Sequence, residues 1–299
     1  MLLCPSCKST LLKEAMQYSC RNCGKTYPDR EGIIQLAGDT LHEEHFFPDN
    51  AFEILYQSEE KNFWFRVRNK IIGNAITRYL SPRSRILEVG CGNGYVSRYL
   101  KKMGHRVECA DLFFDGLQFC KERDAGYLYY QCNLLDRLFI EEFDGICAFD
   151  VLEHIDDDDA VLKNMHDALK PGGTLFITVP ADRRLWSVMD IYAEHKRRYS
   201  MKELRTKIEG NGFKVIKMSY FMTFLYPFIL LSRKLLLRTG NMNDEDMKKQ
   251  INKEAMSELQ PNGILNFIFF FIFRLEVPLL RSFNFPFGSS LLSVAVKES

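Results

Sequence analysis

Residues 85–100 read RILEVGCGNGYVSRYL, and this stretch decides how the rest of the chain is interpreted. Its first residues form a short apolar run, after which three glycines alternate with other residues. From Tyr95 onwards, apolar residues recur at helical spacing. The pattern predicts a buried strand, a tight turn and a helix, with glycines that let a ligand approach the backbone closely.

The spacing of the glycines separates two kinds of ligand. A dinucleotide fingerprint needs G-x-G-x-x-G, whereas Tyr95 stands where the third glycine would be and the chain reads G-x-G-x-G. Pyrophosphate binding is therefore disfavoured, and a glycine turn without a ligand stays open at this point. The N–H groups at the start of the helix suit a carboxylate, and Glu88 suits a cationic group.

The composition and net charge of the chain limit which partners and which location we expect. Its 299 residues carry a net charge of +1, so nothing in the overall charge draws it to nucleic acid or to a membrane. The first ten residues have neither the basic nor the apolar segment of a signal peptide. We therefore expect a cytoplasmic protein, with a peripheral position on the inner membrane face as a variant of that expectation.

Four of the nine cysteines form two C-x-x-C pairs at the start of the chain, Cys4 with Cys7 and Cys20 with Cys23. Four thiolates at this spacing can close a tetrahedral Zn²⁺ site that has no open position for catalysis. Residues 1–37 are thus predicted to be a small structural zinc ribbon that needs its metal to fold. Free or redox-active thiols are the alternative.

Residues 38–81 are predicted to be a helical connector. Trp64 and Arg66 lie in its aromatic segment and are candidates for substrate contact. Simple docking of a helix on the sheet is the alternative for each of them.

Downstream, Ser200 and Glu203 predict a capping box at the start of another helix.

Three motifs carry a family resemblance: I-L-E-V-G-C-G-N-G at 86–94, D-V-L-E-H-I at 150–155 and L-K-P-G-G-T-L at 169–175. Together they resemble class I S-adenosylmethionine (SAM) methyltransferases, and the second resembles small-molecule O-methyltransferases of the quinone-biosynthesis type. The resemblance implies an α/β fold with a seven-stranded Rossmann-like sheet whose last strand is antiparallel. This domain would comprise residues 82–221 and 289–299. Tyr27-Pro28 with Gly32-Ile33 resembles the tail of zinc ribbons found in front of some methyltransferases and in small methyltransferase activators.

The same resemblance implies that the 38–81 connector closes over the cofactor, and it implies a set of cofactor contacts. Asp111, at the end of the second strand, would bind the ribose, and Asn133 would stand where an aspartate usually accepts from adenine, with Asp136 three residues late. The predicted SAM contacts are Glu88, Gly90, Cys91, Gly92, Asn93, Gly94, Asp111, Leu112, Asn133, Leu134, Phe149, Asp150 and Val151.

Candidates for the acceptor side come from two segments. His154 ends D-V-L-E-H, and His195 lies in H-K-R-R-Y-S, a motif similar to that of a bacterial and archaeal methyltransferase group linked to cell-surface glycans or lipids. Either histidine is predicted to act as a general base, with a structural hydrogen bond as the alternative. Arg197, Arg198 and Tyr199 are candidates for binding a phosphate or carboxylate on the substrate.

Residues 222–288 replace what would ordinarily be a short hairpin connection. Two apolar runs in this insertion are each shorter than the roughly 18–20 residues that cross a bilayer. A helical hairpin is expected, and a lid, an acceptor pocket, a dimer contact and a membrane-facing surface all remain open.

The leading hypothesis is methyl transfer from SAM to an oxygen, less so a nitrogen, of a small or lipid- or glycan-linked acceptor. An RNA base methyltransferase that grips RNA through the ribbon is the first alternative, although the near-neutral charge and the apolar insertion disfavour nucleic acid. The second alternative is a non-catalytic SAM-binding scaffold whose ribbon docks a protein partner. A homodimer is compatible with each hypothesis.

Overall fold

A computed structural model describes residues 1–37, 51–236 and 259–298, and the predictions made for residues 38–50 and 237–258 lie outside that range. The strands are β1 (Leu12–Lys13), β2 (Gln17–Ser19), β3 (Thr26–Arg30), β4 (Ile33–Gln35), β5 (Arg85–Val89), β6 (Arg106–Asp111), β7 (Leu128–Gln131), β8 (Phe143–Phe149), β9 (Leu169–Pro180), β10 (Phe213–Phe221) and β11 (Ser290–Lys297). The helices are α1 (Ala51–Glu59), α2 (Phe63–Tyr79), α3 (Tyr95–Lys102), α4 (Phe114–Glu122), α5 (Asp158–Ala168), α6 (Val188–Tyr192), α7 (Met201–Gly210), α8 (Tyr226–Leu236), α9 (Gly263–Arg274) and α10 (Glu276–Ser282).

The central sheet has the order β7-β6-β5-β8-β9-β11-β10. Its first five strands run parallel, and β11 pairs antiparallel with both of its neighbours. The predicted α/β fold with an antiparallel last strand is confirmed. Because the carboxyl ends of β5, β6 and β8 meet at one edge, the loops after these strands can build a single site.

The sheet does not stop at seven strands. β4 of the N-terminal segment pairs in parallel with β7, Ile33 opposite Tyr129, and β3, β2 and β1 continue the sheet to eleven strands. The prediction of a separate ribbon beside a seven-stranded sheet needs this correction. The edge of β7 would otherwise expose unpaired backbone N–H and C=O groups, and β4 satisfies them.

Two buried clusters lie on opposite faces of this sheet. One contains α5 and α7 residues such as Val161, Leu162 and Leu204. The other contains α2, α3 and α4 residues, together with Phe270 and Phe273 of α9. The helices therefore cover both faces, which is why β5, β6 and β8 are buried almost throughout.

The insertion packs against α2. The ring of Phe63 stacks on that of Phe273 with 5.4 Å between centroids, and Asn74 donates to the carbonyl of Val277 at 3.1 Å. Among the described residues, the helical stretch Gly263–Ser282 is long and apolar enough, by length and composition alone, to cross a membrane. The second apolar run by itself is still shorter than a bilayer span, but α9 leads directly into α10 and lengthens the helical stretch.

Candidate cofactor and acceptor site

The glycine loop connects β5 to α3, and its backbone geometry requires glycine. Gly90 has a φ of +63°, and a Cβ atom there would lie 2.4 Å from Cγ2 of Val151. Gly92 has a φ of +48°, and a Cβ atom there would meet no atom within 4 Å. The loop is thus packed against the segment after β8 on one side and faces open space on the other, as a ligand cradle does.

Asp111 holds this loop in place. Its carboxylate accepts the N–H of Gly92 at 2.7 Å and that of Phe113 at 3.0 Å. Burial raises its pKa, and the backbone N–H groups act in the opposite direction. The carboxylate therefore lies against the glycine loop, and its role as the ribose contact stays a prediction.

Glu88 lies on β5 below the loop and is only 2% exposed. Its carboxyl group accepts a hydrogen bond from the Ser97 hydroxyl on α3. Burial raises the pKa of Glu88 to about 8, which the bond from Ser97 only partly opposes. The group is therefore mostly protonated at neutral pH until a cation approaches it.

Helix α1 docks on the outer side of the glycine loop. The Asn93 amide donates to the carbonyl of Phe52 at 2.8 Å, and Arg123 donates to the carbonyl of Asn93 at 3.2 Å while stacking over Tyr56. The side-chain oxygen of Asn93 is buried and has no hydrogen-bond partner. Such an atom is costly unless a ligand or water satisfies it, which supports a bound group beside this loop.

The segment after β7 carries the predicted adenine contacts. The Asn133 side chain accepts the N–H of Leu135 at 3.0 Å, and the carbonyl of Leu134 accepts from Asn164. Asp136 forms an ion pair with Lys8 of the N-terminal segment at 3.3 Å. The adenine contact of Asn133 stays a prediction. The carboxylate of Asp136, three residues later, already pairs with Lys8 of the N-terminal segment.

Arg68 is a site residue that the sequence analysis did not single out. Its Nη2 lies 2.6 Å from the Asp150 carboxylate, and its guanidinium lies over the rings of Trp64 and Phe149. Asp150 has a φ of +58°, which few non-glycine residues adopt. Helical spacing could have singled out Arg68, because it stands three and four residues before the buried Ile71 and Ile72, whereas Arg66 points to another side of α2.

His195 is oriented by a buried carboxylate. Its Nδ1 lies 2.8 Å from Asp190, which Arg198 binds through two guanidinium nitrogens at 2.7 and 2.9 Å. Burial opposes ionisation of Asp190, but hydrogen bonds from His195 and Arg198 lower its pKa to about 2. This arrangement fixes the imidazole and leaves Nε2 as the nitrogen that is free of Asp190. Ser187 and Asp190 form a capping box, the sequence signal that could have identified Asp190.

His154 lies beside His195, with 4.8 Å between the ring centroids. Burial, and next the neighbouring His195, lower the pKa of His154 to about 4, so its ring is neutral at pH 7. The carboxyl oxygens of Glu153 are fully buried and have no hydrogen-bond partner, and burial raises the pKa of this group. Two imidazoles and a buried carboxyl group therefore converge just after β8.

Several predicted substrate contacts make other contacts in the structure. Arg66 stacks on Phe270 of α9 at 3.9 Å, and Arg197 pairs with Asp158 at 3.3 Å. The Tyr199 hydroxyl is buried and donates to the same Asp158 at 2.7 Å. The prediction that Arg198 clamps a substrate anion needs correction, because two of its nitrogens are already committed to Asp190.

The four N-terminal cysteines converge as predicted. Their sulfur atoms lie within 4.8 Å of one another, with 3.7 Å between Cys4 and Cys23 and 3.4 Å between Cys7 and Cys20. A tetrahedral site with Zn–S bonds of about 2.3 Å needs sulfurs about 3.8 Å apart. A hydrogen bond from Asn22 and others nearby lower the pKa of Cys7 to about 5, which favours the thiolate that a metal binds.

Comparison with known proteins identifies the family. A family model described as a methyltransferase domain matches residues 56–218, more than half of the chain. The chain belongs to the class I SAM-dependent methyltransferases. The glycine loop, the Asp111 carboxylate and the orphaned Asn93 oxygen fit the cofactor of this family.

Curated relatives include O-methyltransferases of ubiquinone biosynthesis. The ubiquinone biosynthesis O-methyltransferase of Idiomarina loihiensis is 31% identical over 118 residues, which cover 37% of this chain and 49% of the relative. The corresponding protein of Coxiella burnetii is 33% identical over 117 residues, covering 38% and 49%. The chain thus spans about half the length of these relatives.

Solved structures share the fold. The complex between the Haloferax volcanii Trm112 methyltransferase activator and a methyltransferase has a TM-score of 0.52 at 17% identity, covering 84% of this chain and 96% of that chain. The (4+2) cyclase SpnF has a TM-score of 0.51 at 14% identity, covering 79% and 82%. The second example shows that this fold also serves other chemistry, so the reaction must be argued from the site.

Proposed function

We propose that the protein transfers a methyl group from SAM to an oxygen of a small or lipid-linked acceptor. The observation that carries the proposal is the Asp190–His195 pair beside His154, which belongs to the segment after β8 that also packs on Gly90 through Val151. The family likeness to ubiquinone biosynthesis O-methyltransferases supports oxygen as the acceptor atom.

SAM supplies a methyl group on a sulfonium, which leaves as a neutral thioether when the acceptor oxygen attacks. Gly90, Gly92 and Asp111 would position the cofactor, and most of the rate would come from this alignment. The proton of the acceptor hydroxyl would pass to Nε2 of His195, while the Nδ1–H bond to Asp190 stabilises the resulting imidazolium. The low pKa of His154 makes it the weaker base, so it would serve as a neutral hydrogen-bonding neighbour.

His195→Ala is expected to lower the turnover of methyl transfer about 10²- to 10⁴-fold while leaving cofactor affinity unchanged, because general-base catalysis contributes that much. His154→Ala is expected to lower turnover less. The assay follows label from methyl-labelled SAM into 3,4-dihydroxybenzoate and into an extracted lipid fraction, with mass spectrometry of the product.

His166→Gln is the matched control, because this histidine packs on Phe213 at the far end of α5. Wild-type turnover in the His195 variant would remove the base assignment. Label found only on nitrogen would overturn the proposed acceptor atom. Arg198→Lys should lower turnover less than His195→Ala does, because it loosens Asp190 without removing the imidazole.

Glu88 predicts a pH dependence of cofactor binding. Below pH 8 its carboxyl group is protonated in the free protein, and the ammonium of the cofactor favours the ionised form, so binding releases a proton. Affinity for S-adenosylhomocysteine is expected to rise by up to about tenfold per pH unit between pH 6 and 7.5. Calorimetry would show this slope in the wild type and a flat profile in Glu88→Gln. A flat wild-type profile would contradict the assignment.

We also propose that the N-terminal ribbon holds a structural Zn²⁺ through Cys4, Cys7, Cys20 and Cys23. The sulfur separations support it. Four protein ligands leave no position for a substrate, so the metal would stabilise the segment that extends the sheet.

A further inference from the structure

The outward face of α9 and α10 is apolar, which inverts the usual polarity of a surface helix. The inward side chains Phe270, Phe273 and Leu280 are buried against the rest of the protein. On the opposite side, Ile264 is 72% exposed, Phe267 65% and Leu275 62%. Ile268, Phe271 and Ile272 are also exposed and continue the same stripe. A contiguous apolar surface of this kind marks an interaction site.

The charges on this face have one sign. Arg274 and Arg281 are exposed, and Lys70 of α2 lines the same groove of about 680 Å³ between α2, α3 and the insertion. The single acid of the stretch, Glu276, is fully buried and accepts the N–H of Phe224 at 2.8 Å. An apolar stripe bordered by cations and without exposed acids is complementary to an anionic lipid surface.

The contacts of the helix decide how it would meet a bilayer. Asn266 accepts the N–H of Phe63 at 2.7 Å, and Asn74 binds the carbonyl of Val277. One side of the helix is thus held by α2 through hydrogen bonds and ring stacking and is not available to lipid. The geometry fits a helix lying in the plane of the interface rather than one that crosses the membrane.

We propose that the outward face of Gly263–Ser282 docks the protein on bilayers that contain anionic phospholipids. Phe267 and Phe271 enter the acyl boundary, and Arg274, Arg281 and Lys70 bind headgroup phosphates. Membrane docking itself does not depend on the proposed methyl transfer. Only the further step, that the docked protein methylates a lipid-linked acceptor, rests on the proposed function. Helix α2 joins the two sites, because it binds α9 through Phe63 and Asp150 through Arg68.

The test is flotation of the full chain with vesicles of phosphatidylcholine alone or with 30% phosphatidylglycerol, a ratio of about one third chosen to give a strong surface potential. The wild type should float with the anionic vesicles. Phe267→Ser with Phe271→Ser should weaken vesicle binding at least about 30-fold, since two phenyl groups that would be buried in the bilayer are lost. Arg274→Gln with Arg281→Gln should weaken it about tenfold and remove the preference for anionic lipid.

The matched control replaces two exposed apolar residues elsewhere, Met16→Ser with Ile216→Ser, and should bind vesicles like the wild type. Cofactor affinity, measured in parallel, should be unchanged in every variant, so failed docking and failed methyl transfer are distinguishable. Equal binding by the Phe267 and Phe271 variant would overturn the proposal. A second result would also overturn the proposal. If light scattering showed a dimer of the wild type without lipid and a monomer of the Phe267 and Phe271 variant, the apolar face would bind a second copy of the chain.

Discussion

Asp111→Ala is expected to weaken the binding of S-adenosylhomocysteine about 100-fold or more. Two hydrogen bonds from ribose hydroxyls to a carboxylate contribute about 1.5 kcal/mol or more each, which sums to about 3 kcal/mol. The same change removes the acceptor for the Gly92 N–H and so loosens the cradle itself. Titration calorimetry at fixed pH measures the loss directly.

Two further variants make this result specific. Asp111→Asn keeps an oxygen for the Gly92 N–H but loses the charge, so its loss of affinity should be smaller than that of the alanine variant. Asp115→Ala removes an exposed acid on α4 nearby and should bind like the wild type. Wild-type affinity in a folded Asp111→Ala protein would show that the cofactor lies elsewhere.

Removing zinc, or replacing Cys7 and Cys20 with serine, is expected to unfold residues 1–37. The segment buries few side chains, and zinc-binding free energies of about 10–16 kcal/mol are what fold small metal-bound modules. Because β4 covers the edge of β7, the loss should also lower the melting temperature of the whole protein. Elemental analysis should find a single zinc ion per wild-type chain and none in the variant.

The ribbon should also affect the cofactor site. Gln131 bridges Gln35 of β4 and the carbonyl of Leu112, which directly follows Asp111, with hydrogen bonds of 3.0 and 3.2 Å. Losing β4 should therefore weaken cofactor binding by about fivefold, the value of roughly one hydrogen bond. Lys13→Ala, at an exposed position on β1 of the ribbon, is the control. A metal-free wild type with unchanged melting would refute the structural role of zinc.

The joined sheet gives the N-terminal segment a function beyond its own stability. A parallel strand added at the edge of β7 fixes the chain that leads into the loops after β6 and β7. Leu3 binds the carbonyl of Leu138, and Lys8 binds Asp136. The ribbon therefore supports one wall of the candidate cofactor site from outside.

Local sequence determined the parts of the structure that depend on local backbone geometry. The glycine loop and the Ser200 capping box follow from short patterns, whereas the antiparallel last strand is implied by the family resemblance. Each of these patterns acts within a few residues, through φ and ψ preferences and through the period of the apolar residues. The convergence of four cysteines followed in the same way from their spacing.

Tertiary structure decided which partners the long side chains choose. Arg68 rather than Arg66 reaches Asp150, and Arg198 holds Asp190 instead of standing free for a substrate. Arg66 and Arg68 lie two residues apart and point to different sides of α2, and the packing of distant segments decides which partner each side chain meets. The strand added by the ribbon and the outward apolar face of Gly263–Ser282 are likewise set by contacts between segments far apart in the chain, which no local pattern specifies.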